Sequence, residues 1–172
     1  MSMRLFHACL WFNDYLKLYH TAKLYVTPVR KHVRLWTDAA GATRVVAAVL
    51  YIDGAWVFTY DVVPAAVWDM LLPRCDNQTG LQELLAIPLA IHTFSSLCVG
   101  SQVTAFIDND GVLGSFLHGS SSAEDANVII GKSWIDIASA NIYFWALRVE
   151  SKANLADGPS RGEFSYIQLF GA

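Results

Sequence analysis

Four acidic side chains sit inside otherwise apolar stretches of the chain. Asp38 lies in Leu35-Trp36-Thr37-Asp38-Ala39-Ala40-Gly41, Glu83 in Leu81-Gln82-Glu83-Leu84-Leu85-Ala86, and Asp108 directly follows Thr104-Ala105-Phe106-Ile107. Asp157 lies in Asn154-Leu155-Ala156-Asp157-Gly158-Pro159-Ser160-Arg161. Any one of them alone reads as a surface acid at a strand end or helix turn. An unpaired charge held among apolar neighbours is expensive, and several carboxylates brought together raise one another's pKa values. A hard divalent cation resolves both problems. Mg²⁺ takes oxygen ligands and keeps part of its water shell, so a few carboxylates with water and phosphate suffice to hold it.

The elements that must position these acids follow from the hydrophobic pattern. Residues 3–24 read as one or two helices, with Leu5, Leu10, Trp11, Tyr15, Leu16 and Tyr19 near helical spacing. Pro28 breaks that pattern. Val33 to Asp38 reads as a strand ending at Gly41, and Val45 to Ile52 as a strongly apolar second strand. Asp53-Gly54 marks a two-residue hairpin turn, and Ala55 to Tyr60 forms the third strand. Pro64 opens a helix expected to run to Leu72. Thr79 and Gln82 suggest a capping box at the start of the helix that carries Glu83, with Pro88 expected to kink or restart it. Gln102 to Ile107 is a fourth strand, leading into Asp108 and a short helix over 112–117. Ser122 is placed as the cap of a longer helix whose apolar face is Ala126, Ile130, Ser133, Trp134 and Ile137. Ile142 to Val149 is apolar on both alternating faces and is expected to be a strand buried on two sides. A short helix around Asp157 ends the fold. Strands reached through helices favour parallel crossovers, so the prediction is an α/β mixed sheet of five strands.

Composition sets the outer bounds. At 172 residues and 54% hydrophobic, with 13% aromatic residues, the chain suits one domain with a core and excludes a disordered chain. Mean hydropathy is +0.34, yet the most apolar stretch, 81–100, contains Glu83, His92 and Pro88 and is a poor membrane span. No membrane partner and no signal peptide are expected. Cys9, Cys75 and Cys98 are odd in number and far apart, which fits neither a zinc pattern nor a disulfide framework and predicts an intracellular, reducing setting. Residues 1–34 hold six basic groups against Asp14 alone, net +5, while the rest holds six basic and fourteen acidic groups, net −8. The basic arm reads as a solvated leader or as a phosphate-touching segment. The expected organisation is a basic, helical extension over 1–31, a domain over 32–162 and a tail over 163–172.

The ordered set Thr37-Asp38-Ala39-Ala40-Gly41, Gln82-Glu83-Leu84-Leu85-Ala86, Phe106-Ile107-Asp108-Asn109 and Asn154 to Arg161 resembles the ribonuclease H family. It is most similar to the ribonuclease H domains attached to retroelement reverse transcriptases, over about residues 32–162. The resemblance implies a five-stranded mixed sheet in order 3-2-1-4-5 with helices on both faces. It implies that Asp38, Glu83, Asp108 and Asp157 are catalytic and hold two Mg²⁺ ions, roughly 4 Å apart in two-metal sites, with Mn²⁺ able to substitute. One ion would activate a water for in-line attack on phosphorus and the other would stabilise the leaving 3′-oxygen. The implied substrate is the RNA strand of an RNA/DNA hybrid, recognised through the 2′-hydroxyl and helix shape. Ala39, Asn109 and Arg161 are the candidate substrate contacts, although Asn109 equally suits a helix cap and Arg161 a pairing with an acid. An attached or associated reverse transcriptase is the implied protein partner.

The sequence departs from the family in two places. Many members carry a histidine before the last acid, where this chain has Arg148-Val149-Glu150-Ser151-Lys152-Ala153; several retroelement relatives also lack it. Within 112–140 only Lys132 is basic, so there is no clustered handle for a hybrid. His118 is read as a loop histidine, and Trp36, Trp56, Trp68, Trp134 and Trp145 as core or docking surface. These departures leave an alternative, a catalytically weak or inactive module that scaffolds a reverse transcriptase or other nucleic-acid assembly. A related metal nuclease acting on DNA junctions or 3′ ends is a third reading.

Overall fold

A computed structural model describes residues 3–18, 30–74 and 78–165. Three strands, β1 (His32–Ala40), β2 (Val45–Ile52) and β3 (Ala55–Val62), form an antiparallel meander. Its second turn is the expected one: Asp53 and Gly54 both have positive φ, 52° and 85°, the backbone that a tight two-residue hairpin requires. After the short helix α2 (Ala65–Trp68), α3 (Thr79–Thr93) and α4 (Ser95–Cys98) lead to β4 (Gln102–Ile107). Then come α5 (Asp110–His118), α6 (Glu124–Ser139), β5 (Tyr143–Arg148), a 3₁₀ turn (Ser151–Ala153) and α7 (Asp157–Ser160). The sheet order is β3-β2-β1-β4-β5, with β1–β4 and β4–β5 parallel. This is the sheet order that the resemblance implies.

One face of the sheet buries Val33, Leu35, Val103 and Ala105 against α3, α5 and α6, through Leu84, Ile87, Ile91, Phe116, Ile130 and Ile137. The other buries Trp36, Ala47 and Val49 beneath Ala156, beside α7. The inward face predicted for α6 is correct: Ala126, Ile130, Ser133 and Ile137 are buried and Trp134 packs beside them. An N-terminal helix, α1 (Met3–Leu18), lies on α6, where Trp11 Nε1 donates to the Gly131 carbonyl at 3.0 Å. The predicted residues 19–24 of that helix and the break at Pro28 lie outside the described residues, as do Cys75 and residues 166–172 of the tail. Among the described residues no helix is long and apolar enough to cross a membrane.

Several local expectations are corrected. Pro88 does not break α3, which is continuous through it; Leu84, Leu85, Ile87, Ala90 and Ile91 are all buried, and their packing outweighs the roughly 3 kcal/mol of an interior proline. The capping box is not formed. Gln78, in a left-handed conformation, precedes the helix without side-chain capping, and Gln82 is fully buried and donates to the Gly41 carbonyl at 3.3 Å instead. The helix after Pro64 ends at Trp68, short of Leu72. Ala123, not Ser122, precedes α6, with no side-chain cap. Strand β5 is covered on one side only: Tyr143, Trp145 and Leu147 are exposed, because α7 reaches β1, β2 and β3 and stops there.

Candidate active site

The parallel pairing of β1 with β4 determines where two of the acids fall. Trp36 is in register with Phe106, so Asp38 and Asp108, each two residues further on, leave adjacent strands side by side. Both lie at carboxyl ends of parallel strands, where open α/β sheets bind ligands. Glu83 enters from the first turns of α3, and Asp157 opens α7 from the other face. All four line one open cleft of about 540 Å³, together with Ala39, Gly41, Thr43, Thr79, Ser151 and Arg161. Thus the sheet and two helices place carboxyls from four distant points of the chain along one cleft. Among the described residues, no three acidic, histidine or cysteine side chains are gathered into a ready-made cation cage.

The electrostatics of the cleft are those of crowded, half-buried acids. The Asp38 pKa is pushed up to about 6, chiefly by burial; Asp108 and Asp157 add to the rise, while hydrogen bonds from Ser160 and the Ala39 backbone oppose it. Glu83 is pushed up to about 7, again first by burial and then by the charges of Asp108 and Asp38, with a hydrogen bond from Asn109 opposing. Glu83 Oε2 is buried and accepts no hydrogen bond. An oxygen-only donor set, an orphaned carboxylate oxygen and two carboxyls that resist ionisation fit a hard divalent cation. The cation would supply the missing positive charge.

The candidate substrate contacts fall as follows. Asn109 is the N-cap of α5: its Oδ1 accepts from the Gly111 and Val112 amides at 2.9 and 3.1 Å, and its side chain also reaches Glu83. Helix capping is therefore what the geometry displays for it. Arg161 Nη2 donates to Asp157 Oδ1 at 2.6 Å, so the predicted pairing with an acid is to a member of the cleft. Ala39 is buried and forms part of the wall. His118 ends α5, away from the cleft.

Three features of the cleft were not anticipated from the residues. Gly41 passes so close to Thr79 that a Cβ there would overlap Thr79 Oγ1, which makes the β1–β2 turn and the start of α3 a single wall. Gln82, read as a capping residue, ties that wall together. Ser160 donates to Asp38 Oδ2 at 2.6 Å and lies 2.8 Å from the Asp157 carbonyl. Only the last had a signal, its place in the Asn154–Arg161 motif.

No protein-family model matches the chain, and no curated protein matches it. Solved structures do. The N-terminal ribonuclease H domain of a Mycobacterium tuberculosis protein, solved as a fusion with maltose binding protein, aligns with a TM-score of 0.56 at 12% identity, covering 83% of this chain and 99% of that one. Ribonuclease H1 of Halobacterium salinarum NRC-1 aligns with a TM-score of 0.48 at 14% identity, over 77% of this chain and 98% of that one. The first likeness supports the ribonuclease H-like fold.

Proposed function

We propose that this chain is a divalent-cation-dependent endoribonuclease that cuts the RNA strand of RNA/DNA hybrids, of the type attached to retroelement reverse transcriptases. The observation that carries the reading is the meeting of Asp38, Glu83, Asp108 and Asp157 in one cleft at the carboxyl ends of β1 and β4. These four side chains would hold the cation, Mg²⁺ or in its place Mn²⁺. When bound, it supplies positive charge for an in-line displacement at phosphorus.

The chain's own residues do the rest. Asp38 and Asp108 stand side by side at the carboxyl ends of β1 and β4, where the reacting phosphate would be held. Glu83, next to the orphaned position of its own Oε2, is the member most altered by a cation. Asn109 holds the start of α5 and the Glu83 carboxyl in one arrangement. Arg161 is more than half exposed and swings between Asp157 and an incoming phosphate. The backbone of 39–43 forms the wall against which the ribose of the RNA strand lies. Since Lys132 is alone on α5 and α6 and is paired with Asp136, the basic arm at 1–31 or an associated reverse transcriptase supplies the affinity for the duplex. The exposed apolar side chains of β5 suit attachment to such a partner.

The test is cleavage of a labelled RNA/DNA hybrid in Mg²⁺ or Mn²⁺. The parent is expected to release RNA fragments, and Asp108→Asn to lose more than about 100-fold of the rate, in line with losing one of a set of groups that act as a unit. Cleavage that persists in Asp108→Asn refutes the assignment. A parent that neither cleaves nor binds the metal leaves the scaffold module as the better reading.

A further inference from the structure

The residues Asn154 and Ser160 flank Asp157 in the last motif, yet neither lines the cleft with a carboxyl. Both are buried, at 4% and 1% exposure, and both reach back to β1. Asn154 Nδ2 donates to the Thr37 carbonyl at 3.0 Å, and its Oδ1 accepts from the Ala156 amide at 3.1 Å. Ser160 Oγ lies 2.6 Å from Asp38 Oδ2 and 2.8 Å from the Asp157 carbonyl. The two contacts therefore bracket one position: the peptide just before Asp38 and the carboxylate of Asp38 itself are each fastened to the segment that carries Asp157.

We infer that Ser160 is the positioning residue of the site, fixing the Asp38 carboxylate through Oδ2 and setting its distance from Asp157, while Asn154 anchors the same segment to β1. This rests on the cation-dependent reading above. The physical reason is directional. A carboxylate on a strand end rotates about its last torsion with a broad, two-fold preference. The hydrogen bond from the buried Ser160 hydroxyl to Oδ2, acting with the one from the Ala39 backbone, removes that freedom. Groups that orient a ligand side chain typically change metal affinity or activity by 10- to 100-fold when lost. Gly158 and Pro159, also buried, keep the intervening turn short, so Ser160 cannot move toward Asp38 without moving Asp157.

The experiment uses the full chain and four variants: Ser160→Ala, Ser160→Thr, Asn154→Ala and, as a remote control, Lys132→Ala. Mn²⁺ binding is read from the loss of the free-ion signal in electron paramagnetic resonance, beside thermal unfolding and the kinetics of hybrid cleavage. Ser160→Ala is expected to stay folded, to bind Mn²⁺ about 10-fold more weakly, and to lose kcat with the KM for hybrid unchanged. Ser160→Thr, which keeps the hydroxyl, should recover most of the Mn²⁺ affinity. Lys132→Ala should match the parent in both. If Ser160→Ala binds Mn²⁺ as the parent does, the inference is overturned while the proposed function stands. The same holds if Ser160→Thr is no better than Ser160→Ala. If Ser160→Ala does not fold, Ser160→Thr and Asn154→Ala decide in the same way: parent-like Mn²⁺ affinity in Asn154→Ala removes the anchor. If the parent itself binds no Mn²⁺ and cuts no hybrid, the functional reading fails first and takes this inference with it.

Discussion

Replacing Glu83 with glutamine should make the metal-free protein more stable at alkaline pH. In the fold the Glu83 carboxyl is raised from 4.5 to about 7, first by burial and then by the neighbouring charges of Asp108 and Asp38. The sign follows from proton counting. Between the unfolded and folded pKa values the folded protein holds a proton that the unfolded chain has released, so stability falls as pH rises through that window. Below about pH 4.5 both states are protonated and there is no penalty; above about pH 7 the penalty is complete and constant. A shift of this size corresponds to at most about 3 kcal/mol. The carboxyl is partly open to solvent, which reduces the figure to about 1–2 kcal/mol. For a domain of this length that is roughly 2–8 °C in Tm. Glutamine removes the charge and keeps the acceptor that Asn109 uses. The assay is thermal unfolding of parent and Glu83→Gln at pH 8.5 and pH 5, each with and without Mg²⁺. Without metal the variant should melt higher at pH 8.5, with only about a quarter of the gain left at pH 5. Added Mg²⁺ should raise the parent and narrow the gap, because it binds the folded form. A variant no more stable than the parent at pH 8.5 refutes the account of the cleft as uncompensated charge. A gap that Mg²⁺ leaves unchanged refutes the role of Glu83 in holding a cation.

Other perturbations probe the frame around the site. Asp125 is held well below the usual range, at about 2, first by the Arg74 hydrogen bonds, one of them at 2.7 Å, and then by the Leu72 and Ala126 amides. Its contribution is present above about pH 4 and is lost as pH falls toward 2, so Asp125→Asn should cost about 1–2 kcal/mol at pH 7 in urea unfolding and about half of that at pH 3. Gly41→Ala would place a Cβ onto Thr79 Oγ1 and 3.3 Å from Thr79 Cβ. It should push the β1–β2 turn off α3, lower hybrid cleavage at least about 10-fold and lower stability by roughly 1–3 kcal/mol, measured side by side; an unaffected rate removes the shared wall from the argument. Trp11→Ala removes both the hydrogen bond to Gly131 and the ring that packs there. It should raise hydrogen exchange across 3–18 while leaving the sheet amides protected, and equal loss of protection in both would show that α1 is part of the core.

The sheet was legible because its strands carry unambiguous local signals. Val45 to Ile52 and Gln102 to Ile107 are apolar runs with clear ends, and Asp53-Gly54 offers the two positive φ values that the turn uses. The parallel sense of β4 and β5 followed from the helices that lead into them, whereas the order β3-β2-β1-β4-β5 came only from the resemblance to the ribonuclease H family. Beyond the backbone, legibility fails wherever a polar side chain has two possible partners. Thr79 and Gln82 stand at capping-box spacing, but Gln82 turns instead to Gly41, 41 residues away along the chain. Asn109 was open between cap and ligand contact, and only the geometry of the Gly111 and Val112 amides makes it a cap. For β5, the alternation of apolar residues predicts two covered faces, yet nothing in those six residues encodes that α7 is four residues long and ends over β1 to β3. A periodic pattern records that a side chain is apolar, not whether a partner element extends far enough to cover it.

The cleft also explains why the acids lie where the chain is otherwise most apolar. Asp38 follows Leu35, Trp36 and Thr37 at a buried strand end, at 6% exposure, and burial is the first cause of the rise in both Asp38 and Glu83. The same low-polarity surroundings that make the free carboxylates costly strengthen their attraction for a cation, since both effects scale inversely with the local dielectric. A more exposed set would cost the fold less and hold a cation more weakly. Stability without metal and affinity for metal are therefore opposed through one variable, the burial of Asp38 and Glu83. It follows that substitutions opening the cleft to water should raise the metal-free melting temperature at pH 8.5 and weaken Mn²⁺ binding together. A variant that gains both, or loses both, while keeping its fold would show that burial does not control the site.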